Sequence, residues 1–195
     1  MSSHPRILIV YGSVREQRQG IGVARHLMTC LSERGCPVEL ADPKEIDLPL
    51  LDMMYKQYAK GEAPEAMERM AQMIKRADGV IVVSGEYNHG IPPALKNLLD
   101  HFLEEWFFKP AGIACYSAGR YGGVRAAMQL RMTLAEIGMP TISSLLAVPS
   151  VGATVSPEGK VEEAWLLKST NRFLDELLWW AAAAQAQREK VGAPF

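Results

Sequence analysis

Apolar residues along this chain come in two spacings, and the spacings alternate. Arg6 to Tyr11 (RILIVY), Pro37 to Ala41 (PVELA), Gly79 to Ser84 (GVIVVS), Gly112 to Ser117 (GIACYS) and Thr141 to Val148 (TISSLLAV) are short, largely apolar runs. Runs of this kind predict strands, and the continuous ones suit a parallel sheet buried on both faces. Between them the apolar positions recur at three and four residues, the period of a helix with one buried face. Ile21, Ala24, Leu27, Met28 and Leu31 form one such stripe, and Met67, Met70, Ile74 and Ala77 a second. Leu95, Leu98, Leu99, Phe102 and Leu103 form a third. A fourth helix is expected over about 124–137, with Ala127, Leu130, Met132 and Leu134 among its apolar residues. A long last helix is expected over 161–190, carrying Trp165, Leu166, Phe173, Leu177 and Trp180.

Glycines and prolines punctuate this pattern. Gly35 ends the first helix, Pro64 sits where a first helical turn tolerates proline, and Pro92-Pro93 opens the third helix. Residues 42–63 hold Pro43, Pro49 and Gly61 without a clear period, which predicts a long loop with about one helical turn. Strands alternating with helices imply an α/β fold, a doubly wound parallel sheet built with right-handed crossovers. For five strands the expected order is 2-1-3-4-5, and its switch point, where such sheets bind ligands, lies between strands 1 and 3. No repeat and no low-complexity linker divides the chain, so a single domain over residues 1–195 is expected.

Composition narrows the function classes. A net charge of -1 over 195 residues lacks the basic footprint of a nucleic-acid binder. The three cysteines, Cys30, Cys36 and Cys115, form no CxxC and no Cys/His cluster, which argues against a disulfide framework and against a metal site. Cys115 lies in an apolar run and is expected to be a buried small hydrophobe. The run Ile7 to Val10 is too short for a signal peptide, and no stretch reaches the length of a membrane span. A cytoplasmic protein without membrane partners is the expectation.

The candidate chemistry sits on two loops, each between a strand end and a helix start. Gly12 to Arg18 (GSVREQR) follows the first strand. Amides at a helix start favour an anion, Ser13 and Gln17 are neutral donors, and Arg15 and Arg18 can make charged bonds to phosphate oxygens. The loop ends in no Gly-Lys-Ser/Thr and holds no Gly-x-Gly-x-x-Gly, so neither a Walker loop nor a Rossmann fingerprint is present. Gly85 to Gly90 (GEYNHG) follows the third strand, and its Tyr87, Asn88 and small residues suit a flat polar ring. Two readings of Glu86 are open: contact with a ring, or holding the loop by accepting amide bonds. A third, glycine-rich loop, Ser117 to Gly123, would let the main chain of Gly119 approach a planar ligand and brings Arg120 to offset negative charge. A phosphate site and a ring site at one end of a parallel sheet suggest flavin mononucleotide, FMN.

Three motifs, Gly12-Ser13-x-Arg15-x-x-Arg18, Gly85-Glu86-Tyr87-Asn88-His89-Gly90-Ile91-Pro92-Pro93-x-Leu95-Lys96-Asn97-x-x-Asp100 and Ser117-x-Gly119-x-x-Gly122-Gly123, resemble the NADPH-dependent FMN reductase family. That flavodoxin-like group includes quinone, azo-dye and chromate reductases, and the resemblance covers about residues 5–150. It implies that Ser13, Arg15 and Arg18 hold the FMN phosphate and that Glu86, Tyr87 and Asn88 contact the ring. It also implies NADPH or NADH as co-substrate and assembly as a homodimer or homotetramer. The chain departs from the family at Gly85, where the motif usually has proline, and at Arg18, where many members have serine. Aromatics on the third helix (Phe102, Trp106, Phe107, Phe108) and the last (Trp165, Phe173, Trp179, Trp180) would serve that assembly, the alternative being that both clusters finish the core. No acid, base or nucleophile set stands out, which suits an enzyme whose cofactor carries the redox chemistry. The expected activity is ping-pong, two-electron reduction of a small acceptor such as a quinone. The competing readings are a flavin-binding electron carrier or redox-responsive interaction protein, and a nucleotide-binding module without redox function.

Overall fold

The computed structural model describes residues 4–195. Five parallel strands form one sheet in the order β2-β1-β3-β4-β5, the order expected from the sequence. The strands are β1 (Ile7–Tyr11), β2 (Val38–Ala41), β3 (Gly79–Ser84), β4 (Ala111–Tyr116) and β5 (Thr141–Val148). Ile7 stands opposite Val38 on one side and Gly79 on the other, and Val80 stands opposite Ala111. Every residue of β1, β3 and β4 is buried, as a sheet covered on both faces requires.

The helices are α1 (Ile21–Glu33), α2 (Pro43–Ile46), α3 (Glu65–Arg76), α4 (Pro93–Asp100), α5 (Val124–Glu136), α6 (Val151–Thr154) and α7 (Ala164–Val191). One sheet face packs against α3, α4 and α5 through residues such as Met67, Met70, Leu99 and Leu134. The other packs against α1 and α7 through Leu27, Leu31, Phe173 and Leu177. Local chemistry sets the ends. Asp42 caps α2 by accepting the Lys44 amide at 3.0 Å, and Gly35 leaves α1 in left-handed backbone at φ 74°. In α3 the acidic Glu65 and Glu68 lie in the first turn and Lys75 and Arg76 in the last, complementing the helix dipole.

Several boundaries differ from the sequence reading. The last helix runs over Ala164–Val191 rather than 161–190, and α6 falls in a stretch the apolar pattern left unassigned. The third helix stops at Asp100, before Phe102 and Leu103. Phe102 is 1% exposed and Trp106 is fully buried, with its indole N–H donating to the Leu99 carbonyl at 3.1 Å. Their expected role in assembly is therefore corrected, because both rings complete the core beneath α3 and α4. On α7 the outcome is divided: Phe173, also expected at the surface, is 1% exposed and belongs to the core, while Trp165, Trp179 and Trp180 are exposed.

The edge strand β5 is clipped by two side chains. Glu176 of α7 accepts the amides of Ser143 and Ser144 at 2.8 and 2.9 Å. Arg131 of α5 donates to the carbonyls of Ile142 and Ser143, both at 2.8 Å. Backbone groups that would template another strand are occupied there.

Candidate functional site

The loops after β1, β3 and β4 meet above the carboxyl ends of the strands, around the switch point of the sheet. They enclose a cleft of about 320 Å³. Ser13, Arg15, Gln17, Arg18, Glu86, Tyr87 and Ser117 all line it. Asn88, Gly119 and Arg120 are exposed and stand outside its wall.

The loop after β1 is a nest of donors. Ser13 is 2% exposed, and its hydroxyl lies 3.4 Å from the Tyr87 hydroxyl and accepts the Arg15 amide at 3.3 Å. The backbone amides of Glu16, Gln17 and Arg18 find no acceptor among the described residues. The Arg15 guanidinium is exposed, stands 5.9 Å from the Tyr87 ring centroid, and has no ion pair among the described residues. Arg18 is placed differently from the sequence expectation. Its guanidinium bonds the nearly buried Asp42 carboxylate at 2.5 Å and lies 5.5 Å from the Tyr11 ring. The hydrogen bond it donates to Asp42 holds that guanidinium still more firmly in its charged form. Arg18 thus ties the loop to the start of α2.

Of the two readings of Glu86, the structure supports the second. Its carboxylate accepts the amides of Arg125 and Ala126 at 3.0 and 3.3 Å and meets the Arg125 side chain at 3.5 Å. It caps α5 from outside, where Gly123, at φ 78°, has no side chain to offer. Asn88 and His89 occupy the middle of a tight turn closed by two hydrogen bonds between Tyr87 and Gly90, at 2.9 and 3.1 Å. Both have positive φ, 51° and 66°, the pattern of a primed hairpin turn, which asparagine tolerates. On the third loop the Ser117 hydroxyl donates to the Gly119 carbonyl at 2.8 Å. A Cβ on Gly119 would meet nothing within 4 Å. Arg120 donates to the Tyr121 hydroxyl at 2.8 Å, and Arg125 lies 4.6 Å from the same ring.

Sequence reasoning missed two tyrosines. Tyr116 ends β4 and lines the cleft at 8% exposure; its hydroxyl donates to that of Tyr11 at 3.4 Å, and Tyr11 donates to the Arg18 carbonyl at 3.3 Å. Burial pushes both phenols above their ordinary range, so both remain donors at neutral pH. The Tyr116 ring fills the space that side chains would occupy at two glycines. A Cβ on Gly20 would lie 2.0 Å from its Cζ, and one on Gly85 3.3 Å. The contact at Gly85 is close, whereas the one at Gly20 leaves no room for a side chain unless the ring or the backbone shifts. The signal was present in the sequence as an aromatic at a strand end facing two glycines, but only the fold reveals that they touch.

Cys115 is fully buried, and burial pushes its thiol up to about 12. No group of three or more His, Cys, Asp or Glu that could hold a metal occurs among the described residues.

The model of one family, the NADPH-dependent FMN reductases, matches residues 5–153. The chain belongs to this family. Among its relatives, a quinone reductase of Pseudomonas putida is 31% identical over 150 residues, covering 72% of this chain and 75% of its own. An NAD(P)H-dependent FMN reductase of Schizosaccharomyces pombe is 29% identical over 159 residues, covering 72% of each chain. The fold is that of the solved flavoenzyme FerB, an NAD(P)H:acceptor oxidoreductase from Paracoccus denitrificans. That structure superposes with a TM-score of 0.75 at 23% identity, over 92% of this chain and 98% of its own. No helix among the described residues is long and apolar enough to cross a membrane.

Proposed function

We propose that this protein is an NAD(P)H-dependent FMN oxidoreductase that reduces quinones or similar small acceptors. The observation that carries the reading is the cleft itself, where the donors of the loop after β1 face Tyr87, Tyr116 and Ser117 at the switch point. FMN fits that donor set: a phosphate dianion needs several hydrogen-bond donors, and the free amides of residues 16–18 with Ser13, Arg15 and Gln17 supply them. When bound, FMN accepts two electrons from the nicotinamide and passes them to the acceptor.

The residues around it bind and position. Ser13, Arg15 and Gln17 grip the phosphate, and Arg18 fixes their loop through Asp42. Tyr87 and Ser117 flank the ring, while Glu86 holds the second loop to α5 and Asn88 shapes the turn. Gly119 leaves an open approach for donor and acceptor in turn, and Arg120 stands at its mouth beside Tyr121. No side chain is assigned a proton-transfer step. The C-terminal helix α7 belongs to the same single domain, since Phe173, Leu174 and Leu177 complete its core. A reducing, NADPH-rich cytoplasm suits this chemistry and the free cysteines.

One approach to one cofactor face predicts ping-pong kinetics. Double-reciprocal plots of initial rate against NAD(P)H at several quinone concentrations should be parallel. Anaerobic rapid mixing should show the flavin bleaching at a rate at least equal to turnover. Bleaching far slower than turnover, or none, would replace the enzyme with an electron carrier.

The oligomer is also proposed. Trp165, Trp179 and Trp180 on α7 are 44%, 64% and 48% exposed, and Met132 on α5 is 70% exposed. Trp179 and Trp180 meet edge to face with centroids 4.7 Å apart, and exposed apolar surface of this kind marks contacts. Light scattering at micromolar concentration should give a mass of at least twice 21.5 kDa, and a monomeric mass would remove the proposal.

A further inference from the structure

At the opposite end of the sheet from the cleft, a hollow of about 340 Å³ opens between residues 104–109, α3 and the end of α7. Lys109 precedes β4 and Ser117 follows it, so the strand's length separates the two places by about 20 Å. Three cations line the hollow. Lys75 is paired with Glu105 at 3.6 Å, and Arg188 is paired with Asp78 at 2.9 Å while donating to the Phe108 carbonyl at 3.0 Å. Lys109 remains. It is 7% exposed, and its ammonium makes no hydrogen bond and no ion pair within 4 Å among the described residues.

A buried orphan sits beside it. The Glu105 side chain is also 7% exposed, and its Oε2 is buried without a partner. An ammonium free of protein partners and a buried, unpartnered carboxylate oxygen thus share one wall. Buried polar groups are otherwise satisfied in native proteins, so the Glu105 oxygen calls for a ligand that offers it a hydrogen, and the open ammonium beside it can hold an anion on the same ligand. The rest of the wall is aromatic. Phe195 packs edge to face on Phe107 and Phe108, with centroids 5.5 and 4.9 Å away. Such edges favour another ring.

We propose that this hollow binds a small aromatic carboxylate bearing a ring hydroxyl or amino group, with the carboxylate on Lys109, the ring donor on Glu105 and the ring against Phe108 and Phe195. The site is separate from the flavin cleft, and its occupant is neither the electron donor nor the acceptor.

The pH dependence follows from the surroundings. Burial pushes Lys109 down to about 8, Arg188 lowers it further, and Asp78 and Glu105 oppose the shift. Lys75 on α3 and Glu104 in the turn complete the charges that line the hollow. An anion binds the ammonium form, so affinity is flat well below pH 8 and falls as pH rises through 8, by up to tenfold per unit.

The test uses the holoprotein, trace acetylation with acetic anhydride, and 3-hydroxybenzoate as probe. Peptide mass spectrometry should show Lys109 acetylated in the free protein and at least fivefold more slowly with the probe. The seven lysines outside the hollow should be unaffected, and the flavin absorption spectrum unchanged. Benzyl alcohol, which lacks the charge, should not protect. The probe should raise the melting temperature of the natural protein but not of Lys109→Met, and Lys109→Gln serves if that variant misfolds. The proposal is overturned if Lys109 is unreactive without the probe, if the probe does not slow its labelling, or if protection tracks a change in the flavin spectrum.

Discussion

Replacing Arg15 with alanine weakens FMN binding by roughly ten- to a hundredfold and leaves riboflavin binding nearly unchanged. The magnitude comes from the loss of one charge-assisted hydrogen bond to phosphate, worth about 1.5–3 kcal/mol. The selectivity comes from placement. Arg15 is exposed at the cleft, 5.9 Å from the Tyr87 ring centroid, and has no acidic partner among the described residues. Its removal therefore orphans no buried charge, so the fold should be preserved and the loss confined to the ligand. Arg18→Ala gives the contrasting result. It leaves the nearly buried Asp42 carboxylate without its cation, so it lowers the stability of the apoprotein and weakens FMN and riboflavin alike. Fluorescence titration of apoprotein with each flavin measures both variants. Equal losses of FMN and riboflavin in Arg15→Ala would withdraw Arg15 from the phosphate.

The contrast between these two arginines shows where the sequence was sufficient. Strand order, the helices and the three loops followed from apolar spacing and glycine punctuation, because each is written in consecutive residues. The pairing of Arg18 with Asp42 joins residues 24 apart, and no local pattern records it. Glu86 is a similar case. Its motif position suggested a ring contact, but its carboxylate caps a helix that starts near residue 124, a partner visible only when β3 and β4 lie side by side. Phe102 and Trp106 failed for a different reason. Burial depends on what covers a residue, and both are covered by α3, which lies earlier in the chain.

Tyr116 is the largest gap in the sequence reading, and it supports a second strong expectation: Gly20→Ala destabilises the apoprotein by about 1–3 kcal/mol and abolishes tight FMN binding. Ordinary helix propensity predicts the reverse. Gly20 has φ −68° and ψ −6°, a conformation open to any residue, so alanine there should stabilise by about 0.4–1 kcal/mol. The structure replaces that gain with a collision. The new methyl carbon would lie 2.0 Å from Tyr116 Cζ and 2.1 Å from Cε1, parts of a rigid ring rather than the tip of a flexible chain. Gly85 bounds the ring on the other side and Tyr11 holds its hydroxyl, so its open direction is the cleft that it lines. Relief requires either moving the ring into the space for the flavin or moving α1 away, and the loop of Ser13 to Gln19 would move with α1. Urea denaturation of the apoprotein reads the sign directly. Tyr116→Ala removes the ring at a cost of its own, and the double variant should then lose at least 1 kcal/mol less than the sum of the two single losses. Additive losses, or a Gly20→Ala protein more stable than the natural one, would show that Tyr116 does not wedge these loops apart.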